Sequence, residues 1–274
     1  MPVQSAIITV IERACRKAAA KLRRDFGEVA HLQVSRKGPA DFVSKADEAA
    51  ERTLFQELSR DRPGWGFLME EGGEVAAQPG MPRFILDPLD GTSNFLHAIP
   101  HFAISVAVQE PDGSISAAVV HSPMTDETFW AERSRGAWVQ SQRLRVAARR
   151  SLAECLIATG APYRGHGDHG RWLAQCNALL PHVAGIRRFG AASLDLAWVA
   201  AGRFDGFWEE GLKPWDIAAG ILLVREAGGF VTDLRGGDRA LATGDVLAGG
   251  EGVHSRLHKL LAEAARVERA GRTA

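Results

Sequence analysis

The hydrophobic period of this chain changes twice, and those changes restrict the fold more tightly than composition does. From Ser5 to Phe26 the residues Ile7, Ile11, Ala14, Ala18, Leu22 and Phe26 recur at steps of three and four with Arg and Lys opposite, which predicts an amphipathic helix. A polar loop follows, then a second stripe from about Lys45, Ala46, Ala50, Leu54 and Leu58, ended by Pro63-Gly64. Short strands are predicted at Gly66 to Met69 and at Arg83 to Leu86. From Phe102 the period becomes strand-like. Ala103 to Glu110 and Ser114 to Val120 flank a Pro111-Asp112-Gly113 turn, and Thr128 to Arg133 and Ala137 to Gln140 flank Ser134-Arg135-Gly136. Two helices and an antiparallel meander thus occupy the first half.

The second half alternates. Strands at Leu156 to Thr159, Ile186 to Phe189 and Phe204 to Trp208 are interleaved with helices at Arg171 to Leu180 and Ala192 to Ala201. Lys213-Pro214 opens a helix that runs to Ala227 and is stopped by Gly228-Gly229. Short strands at Phe230 to Asp233 and Val246 to Ala248 precede a closing helix from Gly252 to Val267, and the polar tail from Glu268 is expected to fray. With no repeat, linker or low-complexity segment, the 274 residues read as a single domain over 1–274 of layered α/β class, with a soft boundary near Arg149-Arg150.

Composition removes several functions. Lys+Arg and Asp+Glu both number 33, and the Arg pairs at Arg23-Arg24, Arg149-Arg150 and Arg187-Arg188 are too short for a basic patch, so nucleic acid is not an expected partner. The three cysteines, Cys15, Cys155 and Cys176, are odd in number and far apart, which fits a reducing compartment and neither a disulfide framework nor a CxxC site. No secretory h-region is visible. The longest charge-free apolar stretch, Phe95 to Gln109, is too short for a membrane span, so a cytoplasmic location and no membrane partner are expected.

The segment richest in chemistry is Asp87-Pro88-Leu89-Asp90-Gly91-Thr92-Ser93-Asn94, which directly follows an apolar strand. Ligands in open α/β sheets gather at the carboxyl ends of strands. Two carboxylates spaced by a rigid turn can hold a hard cation, while Gly91 and the hydroxyl and N–H groups after it can hold an anion. The same residues are also turn formers and could make an Asx turn and nothing more. Glu70-Glu71, after Phe67-Leu68-Met69, could be a solvated turn, Asp216 a helix N-terminal acid, and Ser44-x-x-Asp47 a capping box. Each acid alone is weak evidence; only their joint arrangement with a family pattern makes the case.

The blocks Asp87 to Phe95 and Trp215-Asp216-Ile217-Ala218-Ala219-Gly220, continued by Glu226-Ala227-Gly228-Gly229, resemble the inositol monophosphatase family of magnesium-dependent, lithium-sensitive phosphomonoesterases. Glu70-Glu71 falls upstream where that family has its acidic pair, and Asp41 to Asp47 resembles its early loop. The resemblance implies the alternating α-β-α-β-α sandwich of the inositol monophosphatase and fructose-1,6-bisphosphatase type. It implies that Glu70, Asp87 and the Leu89 carbonyl ligate one Mg²⁺ and that Asp87, Asp90 and Asp216 ligate a second, with Glu70 touching a weaker third. Thr92 paired with Asp47 would activate the attacking water, and Gly91, Thr92 and Ser93 would cradle the phosphate. Gly190, Ala192, Glu209 and Asp216 would line the substrate, a small phosphorylated polyol, most readily myo-inositol monophosphate; a solvated strand end is the alternative for Glu209 and the preferred reading of Glu210. A homodimer is implied as well. Ligands that are all oxygen favour Mg²⁺, or Mn²⁺, over Zn²⁺.

Histidinol phosphatase, fructose-1,6-bisphosphatase and 3′-phosphonucleotide phosphatase share such a metal site and are the rival activities. A regulatory association with RNA or transcription machinery is the rival of another class. His254 and His258, four apart, and His166, Asp168 and His169 are set aside as metal sites, and Trp198, Trp208 and Trp215 are assigned to core or wall. No Walker A, GxSxG or HExxH motif is present.

Overall fold

A computed structural model describes residues 4–28, 34–36, 42–162 and 167–273. Helix α1 (Ala6–Gly27) is capped by Ser5, whose hydroxyl accepts the Ile8 N–H. A two-stranded ribbon, β1 (Val34–Arg36) with β2 (Phe42–Ser44), leads into α2 (Lys45–Asp61). The first large sheet holds eight strands: β3 (Gly66–Met69), β4 (Gly73–Val75), β5 (Arg83–Asp90), β6 (Ala103–Gln109), β7 (Ile115–Ser122), β8 (Glu127–Glu132), β9 (Gly136–Val139) and β10 (Gln142–Arg143). Their order is β10-β9-β8-β7-β6-β5-β3-β4, antiparallel except where β3 meets β5. Short helix α3 (Thr92–Leu96) interrupts it after β5. The second sheet orders β11 (Leu156–Thr159), β12 (Gly185–Arg187), β13 (Gly206–Glu209), β14 (Phe230–Thr232) and β15 (Val246–Gly249) as β12-β11-β13-β15-β14. The remaining helices are α4 (His169–Leu179), α5 (Ala192–Ala200), α6 (Pro214–Glu226), α7 (Ala240–Thr243) and α8 (Glu251–Thr273).

These elements stack as five layers: α1 and α2, the eight-stranded sheet, α5 and α6, the five-stranded sheet, then α4 and α8. The period-two pattern explains the stacking. On β6, Ile104, Val106 and Val108 face the core under α1 and α2, whereas Ala103 and Ala107 face the core shared with α5 and α6. Ala118 on β7 and Ala131 on β8 continue that small-residue face, so the middle helices can approach the sheet closely. Helices α5 and α6 are apolar nearly all round, as helices covered on both sides must be. At Gly220 a Cβ would lie 2.5 Å from the Leu196 Cβ, so the two helices cross where only glycine fits. A third core, with Ile157, Trp208, Leu247 and Leu257, closes the sandwich beneath α4 and α8.

The expected fold class and most expected elements are present, with three differences. Strand β5 runs to Asp90 and not to Leu86, because Asp87 pairs with Ser105 and Asp90 with Ala103 on β6. Pro88 falls in the irregularity between those pairs, where no ladder N–H is required. Helix α8 continues to Thr273, through the tail expected to fray. Strands β1, β2, β4 and β10 and helices α3 and α7, each five residues or fewer, were not anticipated. Among the described residues, no helix is long and apolar enough to cross a membrane.

Candidate active site

The acids converge where β5 ends against α2, α5 and α6. The bulge that lets β5 continue turns Asp87 and Asp90 inward, leaving them 2% and 9% exposed. Asp87 Oδ1 accepts the Leu89 N–H at 2.9 Å, so the Asx turn does form, and it forms as part of the acidic cluster. Gly91 has φ +94°, and a Cβ there would meet the His101 carbonyl at 3.0 Å; this tight left-handed turn launches α3. Thr92 Oγ1 then donates to the Leu89 carbonyl at 2.9 Å and lies 3.4 Å from Asp47 Oδ2, which ties α3 to α2.

The other two acids are held by helix starts. Asp90 Oδ2 accepts both the N–H (2.7 Å) and the hydroxyl (2.5 Å) of Ser193 in the first turn of α5. Asp216 Oδ2 accepts the Lys213 N–H at 2.7 Å, so Asp216 is a helix N-terminal acid as well, here closing a capping box. Ser105 donates to the Trp215 carbonyl at 3.1 Å and fixes the start of α6 to β6. Asp87, Asp90 and Asp216 therefore each have one oxygen held by an N–H, the usual way to orient a ligating carboxylate.

The electrostatics confirm that the acids form one cluster. Burial, then Glu70, Asp90, Asp216 and Asp47, pushes the Asp87 carboxyl well above its ordinary range. Asp216 is driven the same way by burial and by Asp90, and Asp90 is raised by burial against the opposing Ser193 hydrogen bonds. Oxygens of Asp47, Glu70 and Glu71 lie within 4.8 Å of one another and could hold a metal ion. Buried carboxylates crowded together with only oxygen donors are the environment a hard divalent cation relieves. The donor set therefore fits the implied metal. Glu71, unassigned from sequence, belongs to this group; its N–H donates to Glu51 Oε2 at 2.9 Å.

The expected substrate residues form the opposite wall. Gly190 has φ +81°, and Ala191 and Ala192 follow it, buried, into α5. Asn94 Nδ2 donates to the His101 and Phe189 carbonyls, both at 2.8 Å, and so binds the α3 turn to this wall. Glu209, at the end of β13, is raised well above its usual range by burial and then by Asp195, Asp216 and Asp90. Half-buried, it shares the charged space of those acids. A Cβ on Gly160 would lie 1.7 Å from Glu209 Oε1, so the side chain missing at Gly160 is what admits that carboxylate. Ser93 is exposed at the rim. Gly160 and Ser193 had no assigned role in the sequence reading.

Two of the features set aside have other partners. His254 Nε2 lies 2.9 Å from Thr232 Oγ1, and Asp168 caps α4 by accepting the Arg171 N–H at 3.0 Å. Trp208 is fully buried and Trp198 and Trp215 half-buried. His166, Asp41 and the Ser44 side chain lie outside the described residues.

An acidic site at a sheet end between two helix starts, in a five-layer sandwich, suits a hard cation beside an anionic substrate, and comparison with known proteins gives the class as phosphoric monoester hydrolase. Residues 3–269 match the inositol monophosphatase family. The chain is 54% identical over 258 residues to an inositol-1-monophosphatase of Rhizobium meliloti, covering 94% of this chain and 97% of that one. It is 42% identical to the Nus factor SuhB of Pseudomonas aeruginosa, with 89% and 91% covered. The crystal structure of the extragenic suppressor protein suhB from Bartonella henselae superposes with a TM-score of 0.91 at 53% identity, covering 94% of this chain and 98% of that one. The chain belongs to the inositol monophosphatase family.

Proposed function

We propose that this chain hydrolyses myo-inositol monophosphate to inositol and phosphate with Mg²⁺ as its cation. The observation that carries the reading is the gathering of Glu70, Asp90, Asp216 and Asp47 around the buried Asp87. Glu70, Asp87 and the Leu89 carbonyl would hold one ion, and Asp87, Asp90 and Asp216 a second. Paired divalent cations supply charge neutralisation for the phosphoryl oxygens and acidify a water. Thr92 and Asp47 would form the proton path: with its hydroxyl turned from the Leu89 carbonyl to Asp47 Oδ2, Thr92 Oγ1 would take the proton of the attacking water and pass its own to that carboxylate. The N–H groups opening α3, at Gly91, Thr92 and Ser93, would cradle the phosphate, a role suited to a turn of successive amides that the left-handed Gly91 starts. Gly190, Ala192 and Glu209 line the polyol, with Glu209 hydrogen-bonding its hydroxyls. A homodimeric state, Li⁺ sensitivity and a cytoplasmic location are part of the same proposal.

The test is phosphate release by the purified protein, with Mg²⁺ and with EDTA. Inositol 1-phosphate, fructose 1,6-bisphosphate, histidinol phosphate and a 3′-phosphonucleotide make the panel, with Asp87→Asn as control. Fastest Mg²⁺-dependent turnover of inositol 1-phosphate, lost in the variant, is expected. Turnover indifferent to EDTA or to Asp87→Asn would overturn the mechanism, and a faster rival substrate would overturn the specificity.

A second reading, association with the transcription machinery, is favoured by the relative named Nus factor SuhB. A salt-sensitive complex with RNA or RNA polymerase that survives Asp87→Asn would support it.

A further inference from the structure

On the far side of the five-stranded sheet from the acidic cluster, α4, α8 and the turn after β14 enclose a cavity of about 650 Å³. That volume lies within the roughly 300–1,000 Å³ common for small-molecule sites. Its floor is apolar, with Leu234 and Leu261 buried beneath it, and Ala262 and Ala265 continue the α8 wall. Its rim is cationic: Arg171 from α4, Arg235 from the turn, and His258 and Arg266 from α8. The side chains of Arg235, His258 and Arg266 make no hydrogen bond or ion pair with another described residue. Arg171 pairs with Glu210 through Nε at 2.9 Å.

The polar wall residues that could oppose an anion are already engaged. Asp168 caps α4 through the Arg171 N–H. Gln175, 2% exposed, donates to Glu210 at 2.5 Å and accepts from the Trp208 indole at 3.0 Å. An apolar floor under two exposed guanidinium groups, one of them near the Asp233 carboxylate, and an imidazole is complementary to one kind of molecule. Guanidinium forks match phosphate-type oxygens in bidentate geometry, and two of them match a dianion better than a monocarboxylate.

We propose that this cavity is a second ligand site, which takes a phosphate-type dianion carried on a small apolar body. The anion sits between Arg235 and Arg266, with His258 beside them, and the apolar body lies on Leu234 and Leu261. The site is separate from the acidic cluster and needs no divalent cation.

Phenylphosphonate is a suitable probe, since its C–P bond resists phosphomonoester hydrolysis. Calorimetric titration of the whole protein in EDTA should show saturable binding that weakens as salt is raised, because the anion contacts are solvent-facing. Arg235→Ala/Arg266→Ala should weaken it about tenfold or more, while the melting temperature and phosphatase activity stay unchanged, since both side chains are exposed. Asp87→Asn should leave it intact. Methylphosphonate, with the same charge and no ring, should bind about tenfold more weakly. Absence of saturable binding, or binding that survives the double variant, would overturn the proposal. So would its loss in Asp87→Asn. Equal affinity for the two phosphonates would reduce the cavity to a non-specific basic surface and overturn it as well.

Discussion

Ser193 gives both its N–H and its hydroxyl to the same oxygen of Asp90. The residues lie 103 positions apart in sequence, and their contact joins the end of β5 to the first turn of α5. The contact orients the Asp90 carboxylate within the cluster it shares with Asp87 and Asp216. Ser193→Ala keeps the N–H contact and loses the hydroxyl contact, one hydrogen bond to a charged group worth about 1.5–3 kcal/mol. Activity at saturating Mg²⁺ should fall modestly, and the Mg²⁺ concentration for half-maximal rate should rise about tenfold. A Mg²⁺ titration of phosphate release checks this. An unchanged half-maximal concentration would mean that Ser193 only packs.

Asp87→Asn should separate stability from function. The carboxylate is buried among others of the same charge, so without a cation it opposes folding. The amide is nearly isosteric, and its Oδ1 can still accept the Leu89 N–H. In EDTA the variant should be more stable by about 1–3 kcal/mol, which at this chain length is a melting-temperature rise of several degrees. Phosphatase activity should drop by at least about a thousandfold, the scale of a lost electrostatic element in catalysis. A variant less stable than wild type in EDTA would contradict the clustering of charge around Asp87.

Much of this architecture was legible because it rests on local period. The α1 stripe of Ile11, Ala14, Ala18 and Leu22 is fully buried, and alternation along β6 sorts its residues between two cores as a strand requires. Lys213-Pro214 and Gly228-Gly229 bracket α6 although the helix is apolar on every face, because caps are set by backbone chemistry and not by period. The acids could be picked out because Asp87, Asp90 and Asp216 stand in long blocks. Their supports could not. Asn94 is a site residue only because the His101 and Phe189 carbonyls come to it, and Gly160 only because Glu209 returns on the neighbouring strand. Such roles are created by strand pairing far along the chain, and no local pattern announces them.

The same charges fix how the metal-free protein responds to pH. Asp87, Asp90, Asp216 and Glu209 all have raised folded-state pKa values, and burial lifts Asp195 to about 6 although His101 opposes the shift. A carboxyl of this kind is best accommodated below its unfolded value, about 3.9 for Asp and about 4.3 for Glu. Stability is then lost as pH rises through the folded value, because the unfolded chain releases the proton first. In EDTA the melting temperature should therefore decline from pH 5 to pH 8, more steeply for wild type than for Asp87→Asn. Saturating Mg²⁺ should remove most of that difference. Melting curves at three pH values with and without Mg²⁺ decide the matter, and parallel declines for the two proteins would count against it.

Gly160→Ala tests the substrate wall without touching an acid. A Cβ at that position would lie 1.7 Å from Glu209 Oε1, too close for the carboxylate to stay where it is. Gly160 has no positive φ to lose, so the backbone tolerates alanine and the strain falls on Glu209. The displaced carboxylate can no longer meet a polyol hydroxyl at its usual place, and a lost hydrogen bond of this kind is worth about 1.5–3 kcal/mol. The KM for inositol 1-phosphate should rise about tenfold or more, with a smaller change in kcat and an unaltered Mg²⁺ requirement. Glu209→Gln should show the same pattern more weakly, since the amide stays in place. If Gly160→Ala instead raised the Mg²⁺ requirement and left KM alone, Glu209 would have to be reassigned from the substrate to the metal cluster.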